Sequence, residues 1–116
     1  MSNTPSLFTR IVNREIPADI VFENDDVIAI SDIAPKAPVH ILVIPKTEEY
    51  ATVGELAEGN PALLAHVVEI AQQLATEKTN GQFRLIFNTG EEAGQTIFHV
   101  HAHVLGGHLT ESSLGF

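Results

Sequence analysis

Hydrophobic and polar positions change period along this chain, and each change marks an element. Leu7, Phe8, Ile11 and Val12 fall at i, i+1, i+4 and i+5, one apolar stripe on a short helix over residues 4–14. Thr4 suits its N-cap and Pro5 its first helical position, and Pro17 stops it from running on. Residues 19–23 and 27–31 read as two strands joined by turn chemistry at Asn24-Asp25-Asp26. Ala34-Pro35-Lys36-Ala37-Pro38 is a stiff connection. Residues 39–44 are then apolar apart from His40, as in a strand buried on both faces, and Pro45 ends the run. Residues 47–58 are polar with Val53 and Leu56 as anchors, which predicts loop and a short helix. Asn60-Pro61 starts one long helix with Leu63, Val67, Ile70 and Leu74 as its stripe. Lys78 suits its C-terminal dipole and Asn80-Gly81 stops it. Residues 83–88 alternate as a strand, and residues 97–105 alternate again.

Five strands with hairpin-length connections and two main helices predict an α+β fold. It is a five-stranded antiparallel sheet with helices packed on it. The expectation is a single domain, 1–116, with residues 108–116 as a C-terminal tail. In that tail Leu114 and Phe116 are candidates to pack on a partner chain.

The last strand carries the chemistry. His99, His101 and His103 alternate with Val100, Ala102 and Val104, so the pattern places three imidazoles on one face, about 6–7 Å apart. Three readings fit. One is a solvated polar face. Another is a metal site, since histidines two apart on a strand can ligate zinc. The third is phosphoryl or nucleotidyl transfer by a histidine nucleophile, which needs one bare ring nitrogen and the other held as a donor.

Composition narrows the partners. The formal net charge is −9 and the six basic residues are scattered, so a nucleic-acid polymer is not an expected ligand. There are no cysteines, which excludes disulfides and Cys-ligated metals and fits the cytoplasm. No apolar run approaches the ~20 residues of a membrane span, and no membrane partner is expected. Single residues stay open at this level. Asp32 is a turn cap or an acceptor for a sugar diol. His40 is a core histidine or a member of a shared polar cluster. His66 reads as a partly exposed helix histidine. The Gly90–Gly94 loop allows backbone N–H groups to approach an anion, although Glu91 and Glu92 weaken it as a phosphate cradle.

His99-Val100-His101-Ala102-His103-Val104-Leu105 resembles the histidine triad motif, histidines alternating with apolar residues. The resemblance extends through Leu7-Phe8, Glu15-Ile16-Pro17-Ala18, Asp32-Ile33-Ala34-Pro35, Ala37-Pro38-Val39-His40, Leu42-Val43-Ile44-Pro45-Lys46 and Gly94-Gln95-Thr96. It covers roughly residues 7–107. The Val43-Ile44-Pro45-Lys46 and Leu105-Gly106-Gly107 segments are similar to the Hint branch rather than the dinucleotide-cleaving Fhit branch.

The resemblance implies a homodimer with its sheet continued across the two subunits, no cofactor and no catalytic metal. It implies hydrolysis of the P–N bond in purine nucleoside phosphoramidates, conjugates of AMP or GMP. Aminoacyl-adenylates are further candidate substrates. By position, His101 is the implied nucleophile, His103 contacts phosphate, and His99 and His40 support the cluster. Asn88, Thr96 and Gln95 fall on the phosphate and leaving-group side. Asp32 accepts from the ribose, and Leu7, Phe8, Ile11 and Ile33 flank the base. Two features depart from the branch: Thr96 stands where many members have serine, and the tail lacks the tryptophan of the animal proteins. The alternatives are a zinc hydrolase built on His99, His101 and His40 or His103, and a non-catalytic nucleotide-binding or scaffold module.

Overall fold

The computed structural model describes residues 4–111. In chain order its elements are α1 (Leu7–Val12), β1 (Ile20–Glu23), β2 (Val27–Ser31), β3 (Val39–Pro45), α2 (Val53–Gly59), α3 (Pro61–Thr79), β4 (Arg84–Ile86), a 3-10 turn (Glu91–Ala93) and β5 (Ala102–Gly106). The sheet order is β1-β2-β3-β5-β4 and every pairing is antiparallel. The fold is therefore the expected α+β sheet. Leu114 and Phe116 lie outside the described residues.

Period-two alternation sorts the two faces of the sheet. Val27 and Ala29 of β2, Ile41 and Val43 of β3, and Ala102 and Val104 of β5 pack beneath Val67, Ile70, Ala71 and Leu74 of α3. Ile28 and Ile30 of β2 and Leu42 and Ile44 of β3 face the other way and pack on Phe8 and Ile11 of α1. Strand β3 is thus covered on both faces, which explains its nearly continuous apolar run. His40 lies on the α1 side, in phase with Leu42 and Ile44.

Three elements depart most from the sequence reading. Helix α1 is capped by Ser6, not Thr4, because the Ser6 hydroxyl oxygen accepts the Thr9 amide at 3.0 Å. It stops at Val12, before Arg14 adopts a positive φ of 63°. Strand β4 is confined to three residues within the expected 83–88. Strand β5 begins at Ala102 rather than residue 97. The ladder with β3 covers Val39–Val43 against Ala102–Gly106. Beyond it, Val100 gives its amide hydrogen to the Tyr50 carbonyl. Pro45 has no amide hydrogen, and its carbonyl is taken by the His99 ring. His99 and His101 therefore sit on an extended segment ahead of the ladder.

Helix α3 matches the expected start and stop. Asn60 Oδ1 accepts from the Leu63 amide at 3.1 Å, and Asn80 and Gly81 leave the helix with φ of 55° and 76°. Its His66 is not merely solvated. Asn24 spends its side-chain oxygen on the Asp26 and Val27 amides, so its Nδ2 faces His66 Nε2 at 2.8 Å and donates. This ties the β1–β2 turn to α3.

The end of β5 lies close to the end of α3. A Cβ built on Gly106 meets Thr79 Cγ2 at 2.4 Å, while its backbone is in an ordinary region. Gly106→Ala is expected to destabilise the fold by about 1–3 kcal/mol through overpacking. Thr79→Ser, which removes the clashing methyl and keeps the hydroxyl bonded to the Ala75 carbonyl, should recover most of that loss. Urea unfolding of both single variants and the double variant measures it, and additive effects would contradict the clash.

Candidate active site

Four histidines meet at one edge of the α1 face. His103 stands opposite Leu42 in the β3–β5 ladder and His40 opposite Leu105, so the two are diagonal neighbours on one face. His40 Nε2 and His103 Nδ1 are 3.0 Å apart. The rings of His101 and His103 are 5.1 Å apart, and the Phe8 ring packs edge-on against both His101 (4.9 Å) and His99 (5.6 Å). His99, His101 and His103 all lie on the α1 side, and His99 is the innermost, fully buried between Ser6 and Pro45.

The hydrogen-bond partners fix where each proton sits, because a carbonyl only accepts and a backbone amide only donates. His99 Nε2 lies 2.6 Å from the Pro45 carbonyl, so Nε2 carries the proton. Its Nδ1 then accepts from the Ser6 hydroxyl at 2.6 Å. His101 Nδ1 lies 2.9 Å from the His99 carbonyl, so Nδ1 is the donor and Nε2 keeps a bare lone pair. The Lys36 amide points at His40 Nδ1 (3.0 Å), so His40 carries its proton on Nε2, between His103 Nδ1 and Asp32 Oδ2 at 3.4 Å. Neutral His103 then carries its own proton on Nε2.

Burial keeps the cluster neutral. Desolvation is the largest cause lowering the pKa of His40, His99, His101 and His103, and for His103 the value falls to about 4. Neighbouring His101 and His40 push His103 further down, and Asp32 opposes them.

The remaining expected site residues divide. Phe8 and Ile11 are buried in the α1 packing, whereas Leu7 is exposed and Ile33 is 98 % exposed. Asp32 takes the expected cap role, with Oδ1 accepting the Ala34 amide at 2.8 Å, and its Oδ2 faces His40. Asn88 is half-buried just beyond β4, and Thr96 is exposed on the loop leading to the histidines. Gln95 is buried, and its amide is engaged within the chain. It accepts from the Gly90 amide and donates to the Ala51 and Ile97 carbonyls, holding the loop in shape. Sequence reasoning missed Ser6, Glu48 and the Pro45 carbonyl. Only the serine carried a local signal, as an N-cap candidate two residues after Thr4.

Asp32, His40 and His103 bring ligand atoms within 4.8 Å of one another, a spacing that could hold a metal ion. The tautomers argue against it. A metal on His40 Nε2 displaces the proton to Nδ1, where the Lys36 amide already donates. Metal-bound histidines normally donate from the second nitrogen to an acceptor.

Comparison with known proteins gives a consistent picture. The family model described as scavenger mRNA decapping enzyme C-term binding matches residues 5–115. A HIT-like protein of Synechococcus elongatus is 46% identical over 104 residues, 88% of this chain and 90% of its own. The adenylylsulfatase HINT1 of Arabidopsis thaliana is 36% identical over 108 residues, 91% of this chain and 74% of its own. The crystal structure of a HIT family hydrolase from Legionella pneumophila superposes with a TM-score of 0.88 at 37% identity, covering 96% of this chain and 100% of that one. A zinc-bound histidine triad family protein from Mycobacterium smegmatis superposes with a TM-score of 0.75 at 31% identity, covering 96% of this chain and 80% of its own.

Stability should follow the histidine burial. Unfolded His103 titrates near 6.5 and the folded residue at about 4, so between those values the unfolded chain binds the extra proton. This contribution is intact above pH ~6.5 and is lost as the pH falls towards 4. Urea unfolding of wild type and His103→Asn across that window measures it. The decline should be shallower in the variant, and equal slopes would show that His103 is not held neutral.

Proposed function

The chain belongs to the histidine triad (HIT) family, and from that premise we propose that it is a nucleotide hydrolase or transferase of the Hint type. Its substrates are purine nucleoside phosphoramidates, with aminoacyl-adenylates as a second class. The observation that carries this reading is the His101 tautomer: Nδ1 donates to the His99 carbonyl and leaves the Nε2 lone pair without a hydrogen bond among the described residues.

The bare Nε2 attacks phosphorus, the P–N bond to the amine breaks, and the amine leaves with a proton from solvent that the attacking water gives back in the second step. Water then attacks phosphorus and releases His101 and the nucleoside monophosphate. A neutral imidazole suits this step because a phosphate-like anion repels an anionic nucleophile. Developing charge on the phosphoryl oxygens requires donors, and His103, Asn88 and Thr96 are assigned to them. Asp32 keeps lone pairs for the ribose hydroxyls beyond the one given to Ala34. Leu7, Phe8, Ile11 and Ile33 flank the base, and Gln95 shapes the loop. The adenylyl group in the name of the Arabidopsis relative agrees with a nucleoside monophosphoryl substrate.

A zinc hydrolase is the second reading, favoured by the Asp32–His40–His103 spacing and by the zinc-bound mycobacterial relative. The Lys36 amide on His40 Nδ1 weighs against it. A non-catalytic nucleotide-binding module is the third. Single turnover of an adenosine phosphoramidate in chelator, followed by intact mass, separates the three. We expect a transient adduct of one nucleoside monophosphate on His101 and no turnover by a folded His101→Ala. Turnover that disappears in chelator and returns with zinc would favour the metal, and binding without turnover the module.

The proposed enzyme is a cytoplasmic homodimer. Among the described residues strand β4 pairs with β5 alone, which leaves an edge suited to a second copy. Light scattering at micromolar concentration should give twice the 12.6 kDa chain mass. A monomeric mass would overturn the dimer.

A further inference from the structure

His101 carries its bare nitrogen on the extended segment that begins at His99. That segment precedes the β5 ladder, so sheet hydrogen bonds do not fix it. The Val100 amide ties it to the Tyr50 carbonyl, and residue 99 is held further by its side chain. Its Nε2 is bonded to the Pro45 carbonyl and its Nδ1 to Ser6.

Ser6 is ninety-three residues away in sequence and is itself pinned from two sides. Its oxygen accepts the Thr9 amide as the α1 N-cap, and its own amide donates to Glu48 Oε1. The carboxylate of Glu48 is held below its usual pKa, chiefly by that amide and by the Thr9 hydroxyl. The hydroxyl has one proton. With Nδ1 of neutral His99 only 2.6 Å away, and Thr9 Oγ1 at 3.3 Å, the proton goes to the imidazole. Glu48, Ser6, His99 and His101 thus form a directed series of donors and acceptors that ends at the His99 carbonyl and the His101 Nδ1–H.

We propose that Ser6, anchored by Glu48, is a positioning residue that sets the tautomer and aim of His101 through His99. This rests on the reading of His101 as nucleophile. A hydroxyl at position 6 holds the neutral His99 tautomer without adding charge. Without it, His99 loses the partner that orients its ring. The backbone at residue 99 loosens, and the His99 carbonyl no longer selects the Nδ1–H form of His101.

Capping and positioning can be separated by substitution. Glycine at an N-cap costs only a few tenths of a kcal/mol relative to serine, yet has no hydroxyl. Ser6→Gly should lower kcat for an adenosine phosphoramidate by about tenfold with KM within about twofold, the pattern of a misaimed reacting group. Its urea midpoint should fall, because the buried His99 Nδ1 loses its donor, while the variant stays fully folded in the assay buffer. Ser6→Thr should restore kcat, and Glu48→Ala should lower it in the same direction. A Ser6→Gly enzyme with wild-type kcat, or a loss that tracks the fraction unfolded, overturns the proposal.

Nitrogen-15 spectra of the imidazoles give a readout that does not depend on turnover. Wild type should show a protonated Nδ1 and bare Nε2 at His101, and Ser6→Gly should move both signals towards the mixed tautomer. If wild type hydrolyses nothing, the proposed reaction fails while these spectra still judge the positioning. Unchanged His101 signals in Ser6→Gly overturn it.

Discussion

A carbonyl oxygen can accept a hydrogen bond but never donate one, and two carbonyls decide the state of this site. The Pro45 carbonyl fixes the proton of His99 on Nε2, and the His99 carbonyl fixes that of His101 on Nδ1. Both depend on backbone that the sheet holds only in part. Pro45 closes β3 with a carbonyl left over, because the opposing strand has not yet begun. The end of one strand and the start of another are offset, and the offset creates room for an imidazole between them.

The site is also electrically unusual for its setting. The chain carries a formal charge of −9, yet the histidine cluster is held neutral by desolvation. The cluster therefore presents N–H donors and a bare, neutral imidazole nitrogen rather than a cationic patch. Fixed dipoles of this kind stabilise developing charge without the reorganisation that mobile water requires. Two carboxylates lie near the cluster: Asp32 is partly occupied by Ala34 and turned towards His40, and Glu48 is engaged by the Ser6 amide.

Much of this was legible in the chain. The two-sided burial of β3 follows from residues 39–44, and the position of α3 from Asn60-Pro61 and Asn80-Gly81. The triad's alternation located β5, but alternation describes a strand's own geometry and is silent on its partner. The ladder could not be seen to stop at Ala102, because that depends on Pro45 more than fifty residues earlier. Glu48 was invisible for the same reason, and Ser6 showed only as an N-cap candidate. Each is an ordinary surface-type residue by local pattern, and its role arises only where α1, the loop after β3 and the His99 segment converge. Gln95 shows the reverse case. A motif position suggests ligand contact, whereas its buried amide is engaged by the backbone of its own loop and of Ala51.

The double covering of the sheet has an evolutionary consequence. His40 and His103 share the α1 face only because β3 and β5 keep their phase, and a shift of one residue in either strand sends that strand's imidazole into the apolar layer under α3. Single-residue insertions or deletions inside 39–45 or 102–106 should therefore be purged from descendants of this gene. Length variation can accumulate instead in the exposed 3-10 turn at Glu91–Ala93, where one more residue changes no strand's phase. The histidines would then drift little in spacing while the loop beside them explores new lengths.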